Sequence, residues 1–465
     1  MAQPEIYELK RVLSTWHLIV LGISSIIGSG VFVLTGLVAS SYAGPGVTLS
    51  FMLSGTACMC VALCYVELAT TIPKAGGLYS YAVTLLSPKM SLLFAAVIIP
   101  STLFSMSGVT VSCISYFGSF LSSINAHQAL GFFTALQNFS VNNSSITVNL
   151  PALVLVSFIA ITLLGGNKSS IGVAFVLVAI KLSIIVGFVV LGFLHLDSSN
   201  WEPFIPTNQG IYGKFGLSGV IRCASMLILS YCGFEAIGTA AQEVKNPEKA
   251  LPRSIIVSFV ICIITYTLVS LAMTGLVSYQ RLNVLYPIAV AVKSIGIPWL
   301  ESLTIIGIVI GLISVLLAVI FGLSRVLYAV ATDGTIPVIF AKCNVQGAPY
   351  MATLALTSVL AMISSTLPTQ TLIKCANFGY LTMFMAICAL VLVLRIKHKQ
   401  MNTGARFRCP WVPFVPVIAI VLLSKMWFSL LLDIYVFIAC WSSMIILGYL
   451  LMYYRKTPKI VSEAV

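Results

Sequence analysis

The chain is 465 residues long, 59% of them hydrophobic and only 8% charged, with a formal charge of +13 and a mean hydropathy of +1.06. Soluble proteins carry about 25% charged residues, and no soluble interior hides this much apolar surface, so the composition excludes a soluble protein and makes this a polytopic α-helical membrane protein. The basic excess sits in short stretches between apolar runs, the pattern of membrane topology rather than of a nucleic-acid surface.

Apolar runs of roughly 20 residues span the hydrocarbon core, and about twelve occur here. Residues 1–15 read as a cytoplasmic N-terminus, where Lys10 and Arg11 precede a segment too long for a cleavable signal peptide. The first span, 16–39, contains "GISSIIGSGVFVLTG", which places Gly22, Gly28, Gly30 and Gly36 at mid-membrane depth with Ser24, Ser25 and Ser29 between them. Gly22, Gly28 and Gly36 are spaced six and eight apart, unlike the four-residue spacing of close helix packing. Packing stays open as one reading of this stretch. The other is a broken helix, which survives in lipid only where it is buried in protein or lines a wet cavity.

The second span, 47–70, carries Glu67 in "LCYVELA", a packing acid or a gating group. Span 90–123 leads into a loop, 124–149, with no Lys or Arg and with Asn-X-Ser/Thr sequons at Asn138, Asn142 and Asn143. They read as glycosylation acceptors in a eukaryotic host or as chance in a Ser/Asn-rich loop. Span 150–166 follows. Span 170–194 holds Lys181 as its one charge, too central to reach a headgroup. Burial disfavours an ammonium, so such a lysine can release and regain a proton, which makes Lys181 a proton-coupling candidate.

Span 216–241 contains "LILSYCGFEAIGTAAQE", again with small and polar residues at its centre (Ser230, Cys232, Gly233) and an intramembrane acid, Glu235. Spans 254–278, 298–330, 350–367 and 372–394 complete a second set. The basic "RIKHKQMNTGARFR" between spans 372–394 and 412–432 reads as a topology signal and headgroup contact. A last span, 434–454, precedes a cytoplasmic tail, 455–465. Lys and Arg concentrate in alternate loops, so both termini are expected to face the cytoplasm, and the expected membrane is the plasma (inner) membrane.

Interrupted helices in spans one and six occupy corresponding positions of two halves, 16–194 and 216–394. That is the pattern of inverted-repeat transporters, whose substrate lies at the midplane between half-helix ends. Most of the 12 cysteines lie in apolar runs, where a reduced thiol packs as a small hydrophobe. No metal-binding spacing and no cofactor motif occurs. An enzyme would need a nucleophile–base pair or metal ligands in the bilayer, yet His17, His127, His195 and His398 fall at or near span ends. A channel would line its pore with polar rings, and only Lys181, Glu67 and Glu235 lie deep in the spans. The reading is a transporter; a channel or non-transporting receptor is the remote alternative.

The residues also resemble a known family. "LKRVLSTWHLIVLGISSIIGSGVFVLTGLVASSYAGPGVTLSF", "ALCYVELATTIPKAGGLYSYA", "SYCGFEAIGTAAQEVKNPEKALPRSI", "SRVLYAVATDGTIPVIFAKCN" and "FRCPWVPFVPVIAI" occur in order along the chain. They are similar to segments of the amino acid–polyamine–organocation permeases, in the cationic amino acid transporter branch and its bacterial relatives. The resemblance implies an all-α fold of about twelve helices, a leucine-transporter-like 5+5 inverted repeat plus two further helices at 412–454. It implies alternating access for free L-amino acids, with a proton as coupling ion. Amide groups around Ser29, Gly30 and Val31 would bind the substrate carboxylate, and carbonyls around Ile26, Ile27, Leu229, Ser230 and Cys232 the ammonium, with Gly233 completing the second break. Leu229 stands where relatives carry an aromatic lid. Lys181 matches the fifth-helix lysine of proton-coupled members, whose ammonium takes the place of a sodium ion; Glu235 matches a structural acid.

Two departures bear on substrate and partners. Cationic transporters usually carry "LEY" on helix three, whereas this chain reads "PSTLFSMSG", with Phe104 at the acid's position. Small or medium neutral amino acids are therefore expected over arginine, lysine or polyamines, which form the alternative. The loop between spans three and four has no cysteine, so no disulfide-linked heavy subunit is expected.

Overall fold

The computed structural model describes residues 14–72, 76–86, 88–137, 139–140, 147–164, 167–239, 244–334, 336–344, 348–398, 407–425 and 427. Most of the N-terminal segment, the three sequons, span 434–454 and the tail after it lie outside these residues.

The chain opens with α1 (Thr15–Ile26), a π-helical turn at Gly30–Leu34, the short α2 (Thr35–Val38), and a second π-helical turn at Ala39–Ala43. After a 3-10 turn at Gly44–Gly46 come α3 (Val47–Thr71), α4 (Leu78–Leu85), α5 (Pro88–Ser123) and α6 (His127–Gln137). One antiparallel pair departs from the all-α expectation: β1 (Phe139–Ser140) and β2 (Thr147–Val148) join Phe139 to Val148 and Ser140 to Thr147. The pair satisfies a few backbone groups that no helix serves. Then follow α7 (Leu150–Leu164), α8 (Asn167–Leu194), α9 (Gly216–Leu227), α10 (Glu235–Thr239), α11 (Pro247–Leu276), α12 (Pro287–Lys293), α13 (Pro298–Thr332), α14 (Tyr350–Thr366) and α15 (Thr369–His398). An apolar helix over Phe414–Lys425, here α16, ends the described chain.

Each expected span up to 412–432 falls, among the described residues, on helix, interrupted within the first and the sixth. Among the described residues, seven helical segments are long and apolar enough to cross a membrane. Their lipid faces are legible in α7, where Val154, Phe158 and Ile161 are 71%, 55% and 71% exposed at helical spacing. Inside the helices, hydroxyls turn back on the preceding turn: Ser25 donates to the Leu21 carbonyl at 2.7 Å and Thr110 to Met106 at 2.9 Å. That local bond lets Ser and Thr lie in apolar spans without an unmatched donor.

α1 packs against α8, α10, α11 and α13, so the first helix is enclosed by protein. Irregular backbone is tolerated there because neighbouring side chains can satisfy it.

Candidate substrate site at the two helix breaks

α1 stops at Ile26, and Ile27 is extended (φ −74°, ψ 100°). A helix end leaves carbonyls without intrahelical donors; side chains from two other helices supply them, and a third serves the π-helical turn beyond the break. Lys181 Nζ donates to the Ser24 carbonyl at 3.1 Å and to the Ile27 carbonyl at 2.9 Å. The Tyr266 hydroxyl lies 2.8 Å from the Ile26 carbonyl, and Tyr116 donates to the Phe32 carbonyl at 2.5 Å. Lys181 comes from α8, is 1% exposed, and also reaches Ser314 Oγ of α13 at 3.4 Å. Gly311 makes room for it, since a Cβ there would stand 2.9 Å from Lys181 Cδ.

The second break follows α9. A 3-10 turn covers Ile228–Tyr231, Cys232 is extended (φ −68°, ψ 154°), and Gly233 has φ +111°. Only glycine adopts that conformation without strain, and its missing side chain also lets the Ser25 carbonyl approach. Glu235 opens α10 and accepts the Gly233 N–H at 3.0 Å, while the Tyr380 hydroxyl reaches the same carboxyl group.

The two breaks touch. A Cβ on Gly30 would stand 2.5 Å from Ser230 Cα. The Tyr266 hydroxyl, already beside Ile26, lies 2.9 Å from the Ser230 carbonyl, so one hydroxyl hydrogen serves a carbonyl of each broken helix. Ser24 Oγ and Ser230 Oγ are buried at the breaks without a hydrogen-bond partner.

Ser29 and Leu229, the chain neighbours of Gly30 and Ser230, line a pocket. Its walls come from α5, with Phe104 and Gly108, and from the start of α15, with Leu372, Ile373 and Ala376. No charged side chain lines it. Phe104, Leu372 and Ala376 form their own small apolar cluster, against which Leu229 packs.

The expected residues of the two breaks lie together, and Glu67 does not join them. The Ile27 carbonyl accepts from Lys181, and the Ile26 and Ser230 carbonyls share the Tyr266 hydroxyl, which leaves each oxygen a further lone pair. Gly30 faces Ser230, and Val31 is wholly buried. Glu67 lies elsewhere: Arg395 Nε and Nη2 stand 2.8 and 3.1 Å from its two oxygens, and the Cys409 N–H donates to it at 2.8 Å. It ties α3 to the end of α15 and to the segment before α16. Sequence reading missed Tyr266, Tyr116, Ser314 and Arg395 as partners. A tyrosine within the apolar "IITYTLVS" was the available signal for Tyr266.

Residues 13–430 match the family described as amino acid permease. The chain belongs to the amino acid permease family. Among its relatives, the methylthioribose transporter of Bacillus subtilis is 35% identical over 90% of this chain and 88% of that protein. The branched-chain amino acid permease BcaP of the same bacterium is 35% identical over 89% of this chain and 86% of its own. Cationic amino acid transporter 1 of Arabidopsis thaliana is 29% identical over 89% of this chain and 67% of that protein. This amino acid permease is therefore an integral membrane transport protein and not an enzyme, and the resemblance drawn from its motifs holds.

Proposed function

We propose that this permease is a secondary active transporter of small or medium neutral L-amino acids, working by alternating access and coupled to protons. The observation that carries the reading is the contact of two helix breaks at Gly30 and Ser230, whose neighbours Ser29 and Leu229 line a pocket without charge. A zwitterion's backbone groups suit the half-helix ends at such a break. Its side chain would enter the slot between Phe104, Leu229 and Leu372.

The relatives' names span methylthioribose, branched-chain and cationic amino acids, so the names alone do not choose. The slot favours the neutral side chain: an arginine or lysine there would bury its charge without a carboxylate, which is costly. Lys181 supports proton coupling. Its ammonium braces the Ser24 and Ile27 carbonyls, and loss of the proton weakens that brace. Matched breaks in α1 and α9–α10 support two inverted repeats, 16–194 and 216–394, within a twelve-helix chain. The bias of Lys and Arg supports cytoplasmic termini in a plasma membrane, which makes the pocket face the outside and α1 and α10 the inner halves.

Uptake of radiolabelled leucine into proteoliposomes, competed by the twenty amino acids, several polyamines and methylthioribose, tests the reading. Saturable uptake with counterflow, inhibited by alanine, serine or leucine, is expected. Inhibition by arginine alone would replace it with the cationic alternative, and unsaturable flux would replace it with a channel.

A further inference from the structure

We propose that Tyr65 and Ser258 are positioning residues of an inner latch: seated in notches at Gly238 and Gly22, they hold the inner halves of both broken helices shut. This rests on the transport reading above.

At α10, the Tyr65 hydroxyl of α3 donates to the Glu235 carbonyl at 2.9 Å. Its ring occupies the place of a side chain at Gly238, where a Cβ would stand 2.6 Å from Tyr65 Cε1. At α1, a Cβ on Gly22 would meet Ile237 Cδ1 and Ser258 Oγ, both at 2.6 Å. Ser258 Oγ, from α11, donates to the Ile19 carbonyl at 3.1 Å. Tyr65 thus ties α10 to α3, Ile237 ties α10 to α1, and Ser258 ties α1 to α11.

Both glycines are helical, and neither has a positive φ. Glycine within a helix is unfavourable against alanine, so close approach of a neighbour is what each position gains. Buried aromatic rings continue the seal behind Tyr65: Phe234 lies 5.5 Å from it, Phe259 and Phe384 lie 5.2 and 5.6 Å from Phe234, and Tyr81 of α4 lies 5.6 Å from Tyr65.

The notches sit on segments that end at the breaks. Beyond Ile26 and before Glu235, continuous α-helix does not carry each half into its partner. Side-chain contacts therefore set the orientation of α1 and α10. Releasing Tyr65 from Gly238, or Ser258 from Ile19, frees them to swing about Ile27 and Cys232–Gly233. The same contacts made and broken would alternate access from the inner side.

The test compares wild type with Tyr65→Phe, Ser258→Ala and Gly238→Ala in oriented vesicles, measuring KM for radiolabelled leucine at each face. Hydrogen–deuterium exchange of residues 15–26 and 235–239 is measured on the same proteins. Loss of one hydrogen bond should lower KM at the inner face and raise it at the outer face, shifting their ratio roughly fivefold. Gly238→Ala should shift it further, because its methyl group pushes the ring itself. Exchange in both segments should quicken. A KM that moves equally at both faces, or unchanged exchange in Tyr65→Phe and Ser258→Ala, would overturn the latch. If wild-type vesicles take up no leucine, the transport reading fails. The exchange measurement on Tyr65→Phe then decides the latch by itself.

Discussion

Lys181 Nζ donates to the carbonyl of Ile27, the first residue beyond the end of α1, at 2.9 Å. A side chain from the fifth span thereby completes the hydrogen bonding of a helix that stops in mid-membrane. The bond needs a donor hydrogen, and the accompanying bond to Ser24 needs a second. A neutral amine keeps donors but loses the charge that strengthens both bonds. The brace on the first helix therefore weakens when the proton leaves, and this links protonation to conformation.

Tyr266→Phe removes the hydroxyl that stands between the Ile26 and Ser230 carbonyls and leaves the ring in place, 5.3 Å from Phe51 and 5.0 Å from Tyr231. One net hydrogen bond is worth about 1 kcal/mol. KM should rise roughly fivefold with a small fall in melting temperature. Unchanged KM would mean that the two breaks need no shared donor.

Gly30→Ala should abolish transport and also destabilise the protein by about 1–3 kcal/mol, the usual effect of overpacking. The added methyl meets Ser230 before it reaches any substrate space. A side chain at position 30 therefore parts the breaks. Thermal unfolding in detergent checks it; a stable Gly30→Ala protein with unimpaired transport would refute the contact.

Phe104→Glu should place a carboxylate in the charge-free slot. Arginine and lysine should then inhibit leucine uptake at least tenfold more strongly than in wild type, and leucine affinity should fall. A competition assay reads both. Inhibition by arginine that is unaltered would show that Phe104 does not face the substrate side chain.

The outline of the fold was legible because lipid imposes long apolar runs, and the described residues of each run up to 412–432 fall on helix, with breaks in the first and the sixth. The breaks were legible too, since Gly28, Gly30 and Gly233 mark where the helices stop. Partners across the bundle were not. Nothing in the neighbourhood of Tyr266 says that its hydroxyl will meet two carbonyls distant in sequence. Likewise the separation of Glu67 from Arg395 along the chain hides their ion pair. Short elements such as α4, α6, α12 and the β1–β2 pair lack the length and periodicity that declare a span.

Arg395→Ala should lower the melting temperature, since it leaves a carboxylate that is 1% exposed with the Cys409 N–H as its remaining named partner. Breaking a buried pair costs about 3–5 kcal/mol; with Arg395 30% exposed, about 2 kcal/mol is expected. KM for leucine should be unchanged, because neither residue lines the pocket. A large KM change with unaltered melting would instead make Glu67 a gating group.

Uptake of radiolabelled leucine driven by an imposed pH difference alone, without sodium, in proteoliposomes of wild type, Lys181→Ala and Lys181→Arg tests the account most directly. On the proposed coupling, acid outside supplies the proton that Lys181 carries, so wild type should accumulate leucine above its equilibrium level, and more so as the outside is acidified. Lys181→Ala should only equilibrate it, and Lys181→Arg should not restore accumulation, because a guanidinium does not release its proton. Accumulation against the gradient by Lys181→Ala under the same pH difference would contradict the account.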